Sequence, residues 1–368
     1  MNRKKIILLG FVGLVVLSAA LVFFRSDAAS RRAAQFSKGM TSAGLAVAVG
    51  SEGRGENGVK EWRDVLIEVP AFPVPMPVRA EKIRFTGDGD VLAERVRFEP
   101  PKGGSGVTML LSRLGAQDVR QDGAGGMWLA ATFVAAGADF SEERRLQMLL
   151  LPLQALLFTQ PKAAQELPGQ LLGALRDGDV TFRYDYNEAE KTLKLDSQIT
   201  LPNFTVISLR QQAAGIQRAE FNSCYNAAVS ALKNPQSDVG AQVAPRCSAA
   251  MAKATPAVIE LKIVEQGARE KLFALYGVAS RQRPEDAQAG LLQRISSTPI
   301  PAPRGITPDA QDVHVAETIR RALLDVIGGA RNEATLTLST KPGVTVGQAQ
   351  RAVQQGYGYG ALLNIKNQ

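Results

Sequence analysis

The sequence predicts an α+β protein with an N-terminal transmembrane helix, followed by a curved, mainly antiparallel, strand-rich periplasmic domain with packed helices. An uncharged run, 6–24, follows a cationic start. Two similar hexads, AEKIRF at 80–85 and AERVRF at 93–98, alternate apolar and charged residues with the period of a half-buried strand. The same alternation continues across two turns in 180–209 and predicts an antiparallel meander.

The run 6–24 decides where the chain is placed. As a helix it would be about 28 Å long, close to the ~30 Å hydrocarbon thickness of a bilayer. Arg3, Lys4 and Lys5 precede it, and such cations favour the cytoplasmic side. We therefore expect residues 1–27 to form a cytoplasmic tip and a single-pass anchor in a bacterial inner membrane, with the rest in the periplasm. A cleaved signal peptide is the alternative, since small residues suited to cleavage occur within and after the run.

Composition and periodicity divide the rest of the chain into consecutive parts. A length of 368 residues, with 45% hydrophobic and 21% charged residues, suits one large or two ordinary domains. Residues 28–42 predict a juxtamembrane helix, and 43–218 a strand-rich domain with a helical insertion at 141–176. Residues 219–256 predict a helical insertion that carries the cysteines, and 257–368 an α+β C-terminal part.

The periodicity also predicts the individual elements in chain order. Strands are expected at 45–49, 62–69, 80–85, 93–98, 107–111, 127–134, 180–186, 193–199, 204–209, 258–264, 333–340 and 361–365. Helices are expected at 163–175, 220–232, 248–254, 268–281, 309–327 and 346–355, with a proline-rich extended linker at 295–308. The core face of the helix at 309–327 should consist of Val315, Ile319, Leu323 and Val326, with His314 on the polar side.

The insertion at 141–176 contains an almost wholly apolar stretch, 146–158. This stretch is too short to span a bilayer, so a helix buried against the sheet is expected. The alternative is a helix that contacts lipid. Its contacting residues would be Leu146, Leu149, Leu150, Leu153, Leu157 and Phe158.

The two cysteines of the chain, Cys224 and Cys247, predict a disulfide, because an isolated pair in an oxidising compartment is most simply bridged. Closing that loop contributes about 3 kcal/mol in the chain-entropy model. His314 is the single histidine, and no nucleophile or metal-binding partner accompanies it. The sequence therefore predicts no catalytic residue, metal or cofactor, and the protein is not expected to be an enzyme.

Two further patterns point away from nucleotides and nucleic acids. Residues 53–58 match G-x-G-x-x-G, but a strand rather than a helix follows, so a hairpin loop is expected in place of a dinucleotide site. The formal net charge is +8, yet the basic residues are scattered along the chain. A nucleic-acid partner is accordingly not expected.

The N-terminal span, the two hexads, the meander DGDVTFRYDYNEAEKTLKLDSQITLPNF and the ending ATLTLSTKPG and ALLNIKNQ occur in that order. This organisation resembles the AsmA-like and YdgA-like single-pass bacterial envelope proteins. The resemblance implies envelope maintenance or lipid handling, with no catalytic residues to carry over. The expected partners are the inner membrane, through 6–24, and lipid or an envelope protein. The alternative function is a scaffold or assembly subunit of a secretion or cell-surface machine.

Overall fold

The structure is a computed structural model, and it describes residues 46–55, 59–69, 76–86, 90–99, 108–121, 128–140, 167–233, 246–249, 251–280, 282–300 and 307–368. The strands are β1 (Ala46–Arg54), β2 (Lys60–Val69), β3 (Met76–Phe85), β4 (Val91–Phe98), β5 (Met109–Gln121), β6 (Trp128–Phe140), β7 (Asp179–Asn187), β8 (Thr192–Leu201), β9 (Thr205–Ala213), β10 (Ala257–Glu265), β11 (Glu333–Thr340) and β12 (Leu363–Asn367). The helices are α1 (Leu167–Arg176), α2 (Arg218–Lys233), α3 (Ala268–Ser280), α4 (Pro284–Ser297), α5 (Ala310–Gly328) and α6 (Val346–Gln355).

The strands form one antiparallel sheet whose order, β1 to β12, is the order of the sequence. The strand-rich α+β prediction is therefore confirmed. The predicted span at 6–24 and the predicted helix at 28–42 lie outside the described residues. Among the helices that the structure does describe, none has the length and apolar character needed to cross a membrane.

The chain divides into two compact units, each assembled from separate stretches of sequence. Unit 1 contains β1 to β6, residues 181–186 of β7, and α2. Unit 2 contains α1, β8 to β12, and α3 to α6.

The two hexads lie in β3 and β4 of unit 1 and pair with each other. Ala80 lies opposite Val96, and Ile83 lies opposite Ala93. The apolar residues of both hexads are buried while Arg95, within the second hexad, is exposed, so the predicted half-buried strands are confirmed. The first residue of each hexad is also buried. Ala80 lies three residues before Ile83, and Ala93 three residues before Val96, so strict alternation would place them on the opposite face.

This shift arises at a row of positions that crosses unit 1, one in each strand. The row consists of Gly50, Asp64, Glu81, Arg95, Ser112 and Gly137. At each of them the pairing skips one residue and resumes in the same register. Asp64 (φ 53°), Arg95 (φ 51°) and Gly137 (φ 66°) have left-handed backbone conformations. An extra residue of this kind bends a strand and increases its twist, and here it moves the side-chain alternation by one position in every strand.

The row keeps most of the large apolar residues of β2 to β5 on one side. Val78, Phe85, Val96 and Leu114 are fully buried there and belong to one continuous core. Tyr225 of α2 packs against the same core. Unit 1 therefore has one continuous hydrophobic core and an opposite face that carries exposed charges such as Arg95.

Helix α2 is joined to β7 by stacked aromatic rings. The ring of Tyr186, which is fully buried, lies 4.4 Å from that of Phe221, with nearly parallel planes. Burial raises the pKa of the neighbouring Tyr184, and the nearby Tyr225 raises it further. This tyrosine stays neutral under all ordinary conditions.

In unit 2, α5 packs across β11 and β12. Ala322 is 1% exposed and meets Ala334 and Leu336 of β11. The predicted core position Leu323 is 38% exposed, so that part of the prediction is wrong. Both residues lie near the face of Val315, Ala322 seven and Leu323 eight positions after it, and the placement of α5 on β11 centres the contact on Ala322.

The first turn of α5 also holds the loop that leads into β12. The Asp312 carboxylate is 1% exposed and accepts hydrogen bonds from the backbone N–H of Gly358 at 2.7 Å and of Gly360 at 2.6 Å. A side chain at Gly360 would overlap the helix, because its Cβ would lie 2.2 Å from the carbonyl carbon of Gln311. These contacts position β12 beside β11 and under α5.

Several predicted elements need correction. The extended linker predicted at 295–308 begins too early, because α4 continues to Ser297, and the rest of α4 was not predicted. Its start is marked by Pro284 at the first helical position with Glu285 and Asp286 behind it, which is a usual N-terminal pattern. Strands β5 and β6 are also much longer than predicted, since their small residues pair as readily as large ones.

Candidate functional site

Strands β8 to β10 of unit 2 carry a mainly aliphatic surface, in which Ser197 lies opposite Leu209 and Gln211 opposite Ile259. Pairing places Ile199 opposite Ile207, and Ile207 opposite Ile263. Leu209 lies opposite Leu261 in the next row. Because directly opposed residues share a face, these side chains lie side by side. We refer to Ile199, Ile207, Leu209, Ile259, Leu261 and Ile263 as the aliphatic face.

On this side of the sheet, β11 is covered by α5 and belongs to the core of unit 2. Residues of β10 and β8 on the same side are more exposed. Leu336 on β11, opposite Leu261, is 9% exposed. Ile259 on β10 and Ile199 on β8 are 41% and 39% exposed. Among the described residues, the aliphatic face is therefore an open continuation of a hydrophobic core.

The reverse side of these strands is polar and crosslinked by ion pairs. Arg210 on β9 lies 3.4 Å from Glu260 on β10 and 3.9 Å from Asp196 on β8. Lys262 lies 3.0 Å from Glu333 on β11. These strands thus have one polar side, suited to contact with water, and one apolar side whose burial under hydrocarbon lowers the free energy.

The aliphatic face can bind apolar molecules, but its side chains offer no hydrogen-bond donors or acceptors. Aliphatic side chains recognise apolar matter by area and shape, without hydrogen-bond geometry. In the part of the chain that the structure describes, no three His, Cys, Asp or Glu residues are grouped as metal ligands. His314 is exposed on α5, as predicted.

The predicted cysteine pair is confirmed. Cys224 on α2 and Cys247 form a disulfide, with their Cα atoms 4.6 Å apart. The bridge closes the chain between α2 and the short helical segment at 246–249. It ties that segment to the helix that packs on the core of unit 1.

The other predicted contact residues are not placed. Leu146, Leu149, Leu150, Leu153, Leu157 and Phe158 lie outside the described residues. The residues of the aliphatic face were predicted as strand positions, but not as an exposed surface. Their alternation in the sequence was the available signal, and it does not distinguish a covered face from an open one.

No family model matches the sequence, and no curated protein matches it.

Proposed function

We propose that this protein is a non-enzymatic, single-pass protein of the bacterial inner membrane whose periplasmic part binds the hydrocarbon chains of lipids on the aliphatic face. The observation that carries the proposal is the exposure of Ile199 and Ile259 on a surface otherwise continuous with the core. Covering the exposed two-fifths of each side chain would contribute about 1 kcal/mol. The aliphatic neighbours on the same face would add to this.

The choice of lipid as the occupant is supported by the sequence. The run 6–24 has the length and flanking charges of a membrane anchor, which would keep the aliphatic face near a bilayer. The resemblance to AsmA-like and YdgA-like proteins points to the same class of ligand. A role in envelope maintenance follows from these two expectations.

Neighbouring residues of β10 offer a matched pair of variants. Ile259 and Val258 have similar exposure, 41% and 37%, but lie on opposite sides of the sheet. Val258 lies opposite Gln212 on the polar side. A glutamate at position 259 would place a charge where hydrocarbon should bind, whereas one at 258 would join existing charges.

The test is native mass spectrometry of the full chain after gentle extraction from membranes. We expect wild type and Val258→Glu to retain lipid, and Ile259→Glu to lose at least nine-tenths of it, with similar thermal unfolding of both variants. If Ile259→Glu is destabilised, the milder Ile199→Gln replaces it. Equal lipid retention by all variants would refute the proposal. Release of the wild type from membranes without detergent would refute the anchor.

The same variants address the alternative of a scaffold or assembly subunit. In that case wild type would carry no lipid, and crosslinking in intact cells would join it to an envelope protein. Ile259→Glu would then remove the crosslink and Val258→Glu would keep it. That result would assign the aliphatic face to a protein partner and overturn the lipid proposal.

A further inference from the structure

A cleft of about 520 Å³ lies among the first three strands of unit 1. Its charged lining consists of Arg54, Glu61, Arg63, Lys82 and Arg84. Pairing brings these residues together: Glu61 of β2 lies opposite Arg84 of β3, and Arg63 lies opposite Lys82. We refer to this as the basic cleft.

Glu61 lies within the basic cleft and is 7% exposed. One carboxylate oxygen lies 3.4 Å from a guanidinium nitrogen of Arg63, and the other lies 3.8 Å from the Lys82 ammonium. Gly55 leaves room for this carboxylate, because a Cβ there would be 2.5 Å from it. Glu61 is therefore a built part of the cleft and orients two of its cations.

The cations of the cleft outnumber the carboxylates that pair with them. Arg84 also pairs with Glu94 of β4, so four cations face two carboxylates. Among the described residues, Arg54 has no ion-pair partner. In the described part of the chain, the Nε atom of Arg84 is also buried and has no hydrogen-bond acceptor. A buried N–H without an acceptor is unfavourable, and an anion in the cleft would provide one.

We propose that the basic cleft binds a phosphate group. Phosphate carries the charge needed to balance the two excess cations, and its oxygens match the fork of donors on arginine. The phosphate could come from a soluble phosphorylated compound or from a lipid head group, and the chemistry of recognition is the same for both. The proposal is independent of the aliphatic face, since all of its residues belong to unit 1.

Arg63 and Arg79 provide a matched comparison. Their side chains are 59% and 55% exposed, they lie on neighbouring strands, and each has one glutamate partner. Arg79 pairs with Glu99 at 3.2 Å and does not line the cleft. Replacing either by glutamine changes the net charge equally, so a general charge effect would be the same in both.

The experiment titrates the full chain, in micelles of an uncharged detergent, with inorganic phosphate in a calorimeter at constant ionic strength. We expect Arg63→Gln to weaken binding about tenfold, Arg79→Gln less than twofold, and Glu61→Gln to strengthen it. Thermal unfolding checks that each variant is folded. Equal weakening by Arg63→Gln and Arg79→Gln would overturn the proposal.

A second arm identifies the source of the phosphate. The full chain is placed in uncharged detergent micelles that contain phosphatidylcholine, with or without phosphatidic acid, and phosphate is titrated again. Weakening of phosphate binding by phosphatidic acid, smaller in Arg63→Gln than in Arg79→Gln, assigns the cleft to a lipid head group. Phosphate binding that phosphatidic acid leaves unchanged assigns the cleft to a soluble compound, and the absence of phosphate binding in both micelles overturns the proposal. Lipid retention on the aliphatic face should be unchanged in Arg63→Gln, so the two proposals can fail separately.

Discussion

The strands of unit 1 and unit 2 show the same alternation of apolar and polar residues, but their apolar faces are buried to different extents. Each of β1 to β6 has at least one skipped position in its pairing, whereas β8 to β11 pair without any. In unit 1, Phe85 and Val96 are fully buried. In unit 2, Ile199 and Ile259 remain about two-fifths exposed. Bulged strands bend around a core, while the regular strands extend past the helix that covers them.

The largest expected difference between the units is the cost of removing an apolar side chain. Phe85 is fully buried and its ring lies 4.9 Å from that of Trp62. We expect Phe85→Ala to lower the free energy of unfolding by about 3–5 kcal/mol, and Ile199→Ala by about 1 kcal/mol or less.

Urea unfolding measures the first effect cleanly, because both tryptophans, Trp62 and Trp128, lie in unit 1 and their fluorescence reports on it. Hydrogen exchange of β8 and β9 measures the second. Equal losses for the two variants would mean that the aliphatic face is as closely packed as the core of unit 1.

The next effect concerns the disulfide, which belongs to unit 1. Reduction of Cys224–Cys247 should lower the free energy of unfolding of unit 1 by about 3 kcal/mol, since the loop is no longer closed in the unfolded chain. Tryptophan fluorescence during urea unfolding, with and without reductant, measures the change. The double variant Cys224→Ala/Cys247→Ala is the control and should not respond to reductant. Hydrogen exchange that rises equally in β10 and β3 on reduction would contradict this assignment.

The smallest effect should have opposite signs in the two units. Asp64 has a left-handed backbone, which costs a non-glycine residue roughly 1–2 kcal/mol, so Asp64→Gly should stabilise by about 1 kcal/mol. Asp196 lies within the regular strand β8, where glycine should destabilise by about 0.5–1 kcal/mol. Thermal unfolding of both variants tests the comparison. Destabilisation by Asp64→Gly would show that the aspartate side chain contributes more than the backbone strain costs.

Much of the fold was predictable because its signals are local. The hexads predicted β3 and β4, and the meander predicted β7 to β9, since alternation depends on the chain within a few residues. Helix boundaries were marked by their caps: the side chain of Asp309 accepts a hydrogen bond from the backbone of Asp312 in α5, and Thr345 forms a capping box in α6. The cysteine pair followed from there being only two cysteines.

The sequence by itself determined most of the strands and helices, which residues are apolar, and which cysteines pair. Tertiary structure decided which apolar faces are covered. Ala322 rather than Leu323 entered the core because of where α5 lies on β11. Glu61 and Arg84 share the basic cleft because the register of β2 and β3 places them opposite each other. Burial and register depend on contacts between residues that are distant along the chain, and local periodicity alone does not fix them.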